Sequence, residues 1–182
     1  MRHEIRLSGS GGQGIILAGI VLAEAALHED KNAVQSQSYG PEARGGASKS
    51  EIIISSEAID YPKVTAPDIV LALTTESYKK YAKNLPANTV VIVDFSVNVN
   101  GDTGVLSLPI IQAARDELKR PIVSNIVALG ALNAVAKVVS PESLEAAVLR
   151  RVPKGTEDLN RKALALGYQL VGKYMLTSGY IR

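Results

Sequence analysis

The sequence predicts an α/β fold: one three-layer, Rossmann-like domain with a mainly parallel sheet and helices on both faces. Three observations predict it. Strand-like and helix-like hydrophobic patterns alternate along the chain. The runs at 68–73 and 89–94 are continuously apolar and end in turn residues, as parallel strands buried on both faces require. A burst of glycine, LSGSGGQGIILAGI at 7–20, joins a short strand to a long apolar helix. With 182 residues, 46% hydrophobic and 21% charged, the chain reads as a single domain, 1–182, that buries roughly two-thirds or more of its unfolded surface.

Taken in order, residues 4–8 are a short strand and 14–28 a helix that is apolar on nearly every side. Residues 33–37 and 50–55 form two further strands, separated by the loop 39–47. After the strand at 68–73, residues 76–84 form a short polar helix in which Lys79, Lys80 and Lys83 face water. The strand at 89–94 leads to a turn or hairpin tip at 97–104, rich in Asn and Gly. A helix at 109–118, a short strand at 122–124 and an apolar helix capped by Asn125 and running to about Val139 follow. Ser140 caps the next helix, with Pro141 at its first position. Thr156 opens the last long helix, which ends near Tyr174. Helices 15–27 and 126–139 lack a polar face, so each is either sandwiched inside the domain or buried against another subunit.

Composition narrows the chemistry. There is no cysteine, which removes iron–sulfur ligation, thiolate catalysis, cysteine zinc sites and disulfides from this chain. The two histidines, His3 and His28, stand apart, so a multi-histidine metal site is not expected. Net charge is +2 without a basic stripe, against a nucleic-acid partner. Met1 leads directly into a strand pattern, without a signal-peptide profile, and no apolar run has bilayer length. The expectation is a cytoplasmic protein without a membrane partner.

The glycine stretch Gly9-Ser10-Gly11-Gly12-Gln13-Gly14 satisfies G-x-G-x-x-G between a strand and a helix. Such a turn lets backbone approach a ligand closely, and the helix start offers N–H groups to negative charge. Dinucleotide enzymes also need an acidic residue at the end of the second strand. Here that strand ends in neutral Ser36, Gln37 and Ser38. A phosphate loop of the Gly-Lys-Ser/Thr type is absent, and Ser10 lacks the glycine two residues before it that a hydrolase elbow requires. A purely structural strand–helix turn stays open beside the ligand reading.

The second constellation is SYGPEARGGASKSE at 38–51. Tyr39, Gly40 and Pro41 make a turn, and Glu42, Arg44, Gly45 and Gly46 place an acid and a guanidinium between small residues. Arg44 suits a carboxylate or phosphate, and Glu42 is the alternative, internal partner. Both loops are expected to follow strands at their carboxyl ends and to converge on one surface.

With these motifs in hand, the chain resembles the gamma subunit of the 2-oxoacid:ferredoxin oxidoreductases, which act on pyruvate, 2-oxoglutarate, branched-chain oxoacids or indolepyruvate. The matching text is GSGGQGIILAG, SYGPEARGGASKSEIIIS and NIVALGAL at 125–132, in order over essentially the whole chain. The resemblance implies oxidative decarboxylation of a 2-oxoacid to acyl-CoA with reduction of ferredoxin, with 2-oxoglutarate the favoured substrate. It implies thiamine pyrophosphate, Mg²⁺ and iron–sulfur clusters on alpha, beta and ferredoxin-like delta partners, and no catalytic residue or metal ligand on this chain. It also implies a ligand- or partner-binding face made by Gly9, Gly11, Gly12, Gln13, Gly14, Tyr39, Glu42, Arg44, Gly45, Gly46 and Asn125, with coenzyme A as one ligand. Gly101-Asp102-Thr103-Gly104 resembles the start of the family's thiamine motif but lacks an adjoining apolar strand. The rival readings are a stand-alone dinucleotide oxidoreductase and a purely architectural subunit. The isolated chain is expected to be inactive and able to self-associate.

Overall fold

Alternation fixes the central strand. In β1 (Arg2–Ser10), Ile5 and Leu7 point into one layer and are fully buried. The computed structural model describes residues 1–38 and 46–178. The remaining elements in chain order are α1 (Ile15–Leu27), β2 (Asn32–Gln37), β3 (Ala47–Ser55), β4 (Ile69–Ala72), α2 (Thr75–Tyr81), β5 (Val90–Asp94), β6 (Val105–Leu108), α3 (Ile110–Asp116), α4 (Ser124–Ala136), α5 (Pro141–Arg151) and α6 (Glu157–Ser178).

The six strands lie in the order β2-β3-β1-β4-β5-β6. β1, β4, β5 and β6 run parallel, while β3 is antiparallel to both β1 and β2. The expected α/β domain with a mainly parallel sheet is thus the fold observed. The direction of β3 is a refinement, and it makes the 38–46 connection the link of an antiparallel pair. Two other expectations change. Residues 122–124 are not a strand: Pro121–Val123 is a single 3-10 turn leading into α4. The turn at 97–104 holds, with Asn100, Gly101 and Gly104 at positive φ, but it delivers the chain into an edge strand, β6, that the sequence did not reveal.

Helices occupy both faces. On one, α1, α3, α4, α5 and α6 share a single apolar core with Ile5, Leu7, Ile52, Ile54 and Leu71. On the other, α2 packs Tyr78 onto Ala72, Val93 and Val97. A Thr74–Ser77 capping box starts α2. Ser140 caps α5 through the Ser143 N–H, as its sequence position predicted.

The apolar helix α4 answers the sandwich question for itself. Its residues from Ser124 to Asn133 are all buried within this one chain, chiefly by α6. The two helices touch backbone to backbone where Gly130 meets Gly167. A Cβ at Gly130 would collide with the Leu164 carbonyl, and one at Gly167 with the Val127 carbonyl and the Ala131 nitrogen. At its far end α4 stops at Lys137 in the left-handed region, φ 51, earlier than the expected Val139. There Asn133 bridges the Val139 carbonyl (2.9 Å) and the Tyr168 hydroxyl (2.7 Å).

The corner between α1 and α5 carries a pH-sensitive link. The Glu29 carboxylate accepts from Lys31 Nζ (2.8 Å) and the Ser140 N–H (2.5 Å), and Lys31 also donates to the Val138 carbonyl. Burial alone would raise the Glu29 pKa, but the bonds from Lys31, Ser140 and Ser143 outweigh it and hold the pKa at about 2. A carboxylate depressed on folding stabilises above its unfolded pKa, and that contribution is lost as pH falls through the folded one. Allowing for solvent screening of a partly exposed group, Glu29→Gln is expected to cost about 1–2 kcal/mol at pH 7. Urea midpoints should separate the two proteins at pH 7 and converge between pH 4.5 and pH 2.

Candidate functional site

The carboxyl edge of the parallel strands is where α/β sheets leave backbone groups for ligands, above all where successive connections depart in opposite directions. That point here lies between β1 and β4. The chain leaves β1 through α1 toward β2 and β3, and leaves β4 through α2, on the opposite face, toward β5. The turn at 11–14 stands at this point.

Gly9 and Ser10 belong to β1 itself, paired with Ser48 and Ala47 of β3, so the exposed turn is shorter than the motif. It is closed internally. Gln13 Oε1 accepts from the Ser10 N–H at 2.7 Å, and the Gln13 N–H donates to the Ser10 carbonyl at 3.2 Å. The oxygen of Gln13 therefore shapes the turn rather than facing outward. Gly12 is exposed at φ 87. Gly14 sits at φ 71 as the N-cap of α1, and no side chain caps that helix. The first N–H groups of α1 thus depend on neighbours outside their own helix.

Asn125 does not cap α4, which begins one residue earlier, and Val123 stands at the cap without a side-chain bond. Its Nδ2 reaches across to the Gly14 carbonyl at 3.3 Å, and a Cβ on Gly14 would collide with that same amide. The start of α4 and the start of α1 are therefore locked together at the carboxyl edge. The two expected loops also meet: the Gly11 N–H donates to the Gly46 carbonyl at 3.3 Å. Tyr39, Glu42, Arg44 and Gly45 lie outside the described residues.

The second half of the 38–51 stretch serves structure. Glu51 pairs with Arg6 (2.8 Å) and Lys49 (2.9 Å), and Arg6 donates onward to the Tyr81 carbonyl. The Tyr81 hydroxyl bonds the Ala47 carbonyl at 3.2 Å. This network fastens α2 to β3. Its signal was present in the alternation of Arg6 along β1 and of Lys49 and Glu51 along β3, which places all three on one face.

Two other groups were not foreseen. Asp94, buried at the end of β5, accepts from the Ser96 N–H and hydroxyl and from the Ile111 N–H, and so holds the start of α3. Tyr78 donates to Asp102 at 2.6 Å; burial and that carboxylate push its pKa up to about 12. A cavity of about 980 Å³ lies beside Lys31, Asn133 and Tyr168, with no residue of the glycine turn in its lining. Its lining groups Glu29, Lys31 and Asn133 are engaged in bonds that join α1, α4 and α5.

The chain is thus an α/β module with a glycine turn at its switch point and no acid or base in the turn itself. The family model described as pyruvate ferredoxin/flavodoxin oxidoreductase matches residues 4–170. The chain is 52% identical over 176 residues to the 2-oxoglutarate synthase subunit KorC of Methanocaldococcus jannaschii, covering 93% of this chain and 94% of that protein. It is 43% identical over 181 residues to KorC of Methanothermobacter marburgensis, covering 94% and 97%. Among solved structures, the gamma subunit of a keto/oxoacid ferredoxin oxidoreductase from Geobacter sulfurreducens superimposes with a TM-score of 0.85 at 48% identity, over 95% of this chain and 98% of that one. The chain belongs to the pyruvate ferredoxin/flavodoxin oxidoreductase family, as its sequence motifs implied. No helix among the described residues is long and apolar enough to cross a membrane.

Proposed function

We propose that this chain is the gamma subunit of a 2-oxoacid:ferredoxin oxidoreductase, working on 2-oxoglutarate as part of a complex with thiamine-bearing alpha and beta subunits and a ferredoxin-like delta subunit. The observation that carries the proposal is the meeting of Gly11–Gly14, Gly46 and Asn125 at the carboxyl edge of a chain that the family model matches over residues 4–170. The two relatives named 2-oxoglutarate synthase subunits favour that substrate branch.

The described residues of this chain offer no ligand set for an iron–sulfur cluster or a metal ion. There is no cysteine, and among the described residues no group of three or more His, Asp or Glu converges on one point. In this reading thiamine pyrophosphate, Mg²⁺ and iron–sulfur clusters belong to partner chains, as the family resemblance implies. The part of this chain is positional. With the Gly11 and Gln13 N–H groups already bonded within the fold, the first N–H groups of α1 and the guanidinium of Arg44 are the donors left for an anion, coenzyme A or a partner's carboxylate.

The test is Arg44→Ala in the assembled complex. Loss of a charge-assisted contact is expected to raise the Michaelis constant for coenzyme A, or to weaken assembly, by about tenfold or more. Unchanged assembly, turnover and Michaelis constant would remove Arg44 from the site. For the whole assignment, affinity purification should recover a thiamine-binding chain and a cysteine-rich companion, with activity on 2-oxoglutarate. Thermal stabilisation of the isolated chain by NAD(P) would favour the stand-alone dinucleotide reading instead.

A further inference from the structure

β2 ends the sheet, with β3 on one side and, among the described residues, no strand on the other. An open edge presents a row of N–H and C=O groups that another extended strand satisfies in series. Proteins blunt such edges with charge, proline, a bulge or short length. β2 has none of these: it is Asn-Ala-Val-Gln-Ser-Gln, six uncharged residues in unbroken register with β3. The opposite edge, β6, is only four residues long.

α1 lies over this half of the sheet. Gly19 backs onto Ser50 of β3, and Glu24 reaches Arg151 of α5. Between those two directions, at i, i+4, i+7 and i+11, run Ile16, Ile20, Ala23 and Leu27. Leu27 is 55% exposed. Ile16 and Ile20 are half-buried, and among the described residues none of these three large side chains joins the core cluster. This spacing is that of a helix–helix seam. Unlike α4, α1 therefore keeps Ile16, Ile20 and Leu27 turned away from the core, with Ala23 buried between them, beside a strand edge that is unpaired among the described residues.

We propose that this flank is a homodimer interface: β2 pairs antiparallel with β2 of a second copy, and the α1 stripes pack across the same twofold axis. A second copy fits because both components are self-complementary. Antiparallel pairing centred between Val34 and Gln35 sets Asn32 opposite Gln37, Ala33 opposite Ser36 and Val34 opposite Gln35. Every facing pair is neutral, without the like charges that would oppose a symmetric match. The stripe likewise meets apolar surface only. A stable interface buries roughly 800 Å² per partner, more than one six-residue strand pair can cover, so the proposal requires the helix stripe to take part.

The experiment is sedimentation velocity on the full purified chain from about 1 to 100 μM. A species of twice the 19.3 kDa monomer mass is expected for wild type. Ile20→Asp with Leu27→Asp should weaken dimerisation at least about a hundredfold while leaving the circular-dichroism spectrum intact. Because the chain has no cysteine, Leu27→Cys gives an independent readout should that double variant fail to fold. Under mild oxidation it should form disulfide-linked dimers much faster than Lys162→Cys, an exposed control on α6. A wild-type monomer at 100 μM, a dimer that survives the two aspartates in a folded protein, or equal cross-linking at both cysteines would each overturn the proposal.

Discussion

Gly167→Val is expected to destabilise the protein by about 3 kcal/mol or more, the upper range for forced overpacking of a close-packed interior. The reason is the α4–α6 crossing. The added Cβ would collide with the Val127 carbonyl and lie against the Ala131 nitrogen, and helix backbone cannot move aside as a flexible side chain does. Relief requires the helices to separate, which uncovers Leu129, Leu132, Leu164 and Leu170 around the contact. For a chain of this length that loss corresponds to roughly 6–12 °C in melting temperature. Gly172→Val on the same helix is the control. A Cβ there meets nothing within 4 Å, so only the modest propensity change remains. Equal melting temperatures for the two variants would refute the tight crossing.

Gly14→Val should be the most damaging change at the candidate site. Two effects add. At φ 71 the residue occupies the left-handed region, which costs a branched L side chain about 1–2 kcal/mol. The new side chain also drives into the Asn125 amide that joins α4 to α1. A loss of about 3 kcal/mol is expected, together with weakened assembly of the complex. Gly12→Ala separates the effects: its φ is 87, but a Cβ finds open space, so about 1 kcal/mol is expected with the α1–α4 junction intact. Denaturant midpoints check the first quantity and co-purification of partner chains the second. A Gly14→Val protein as stable as Gly12→Ala would show that the Asn125 contact contributes nothing.

The strands at β4 and β5 were legible because burial on both faces demands uninterrupted apolar runs, and 68–73 and 89–94 have them. The glycine turn and α1 were legible for the same kind of reason: the period of the pattern changes from strand to helix across it. β6 was hidden because Val-Leu-Ser-Leu is short, half-exposed and follows a cluster of Asn and Gly. The residues at 122–124 looked like a strand from their apolar character. Pro121 and the approach to α4 turned them into a 3-10 turn instead. Strand direction leaves little local trace, so the antiparallel placement of β3 emerged only from the sheet.

At the site, the identity of the glycines was readable but the partners of Asn125 were not. Asn suits an N-cap, and only the tertiary contact with Gly14 reassigns its amide. The convergence of the two loops was foreseen from topology alone, and Gly11 bonding Gly46 realises it at the described end of the second loop. The Gly130–Gly167 contact was missed because a glycine in a helical pattern reads as a weakness until its opposite number is known.

A helix without a solvent-facing position through its first ten residues has no room for neutral drift. On α4, from Ser124 to Asn133, every exchange is an interior exchange, constrained by volume on all sides. Divergence that tunes such a domain to new companions must accumulate on its outer helices and in the connections at the sheet's ends, while this rod stays as the fixed reference around which they vary.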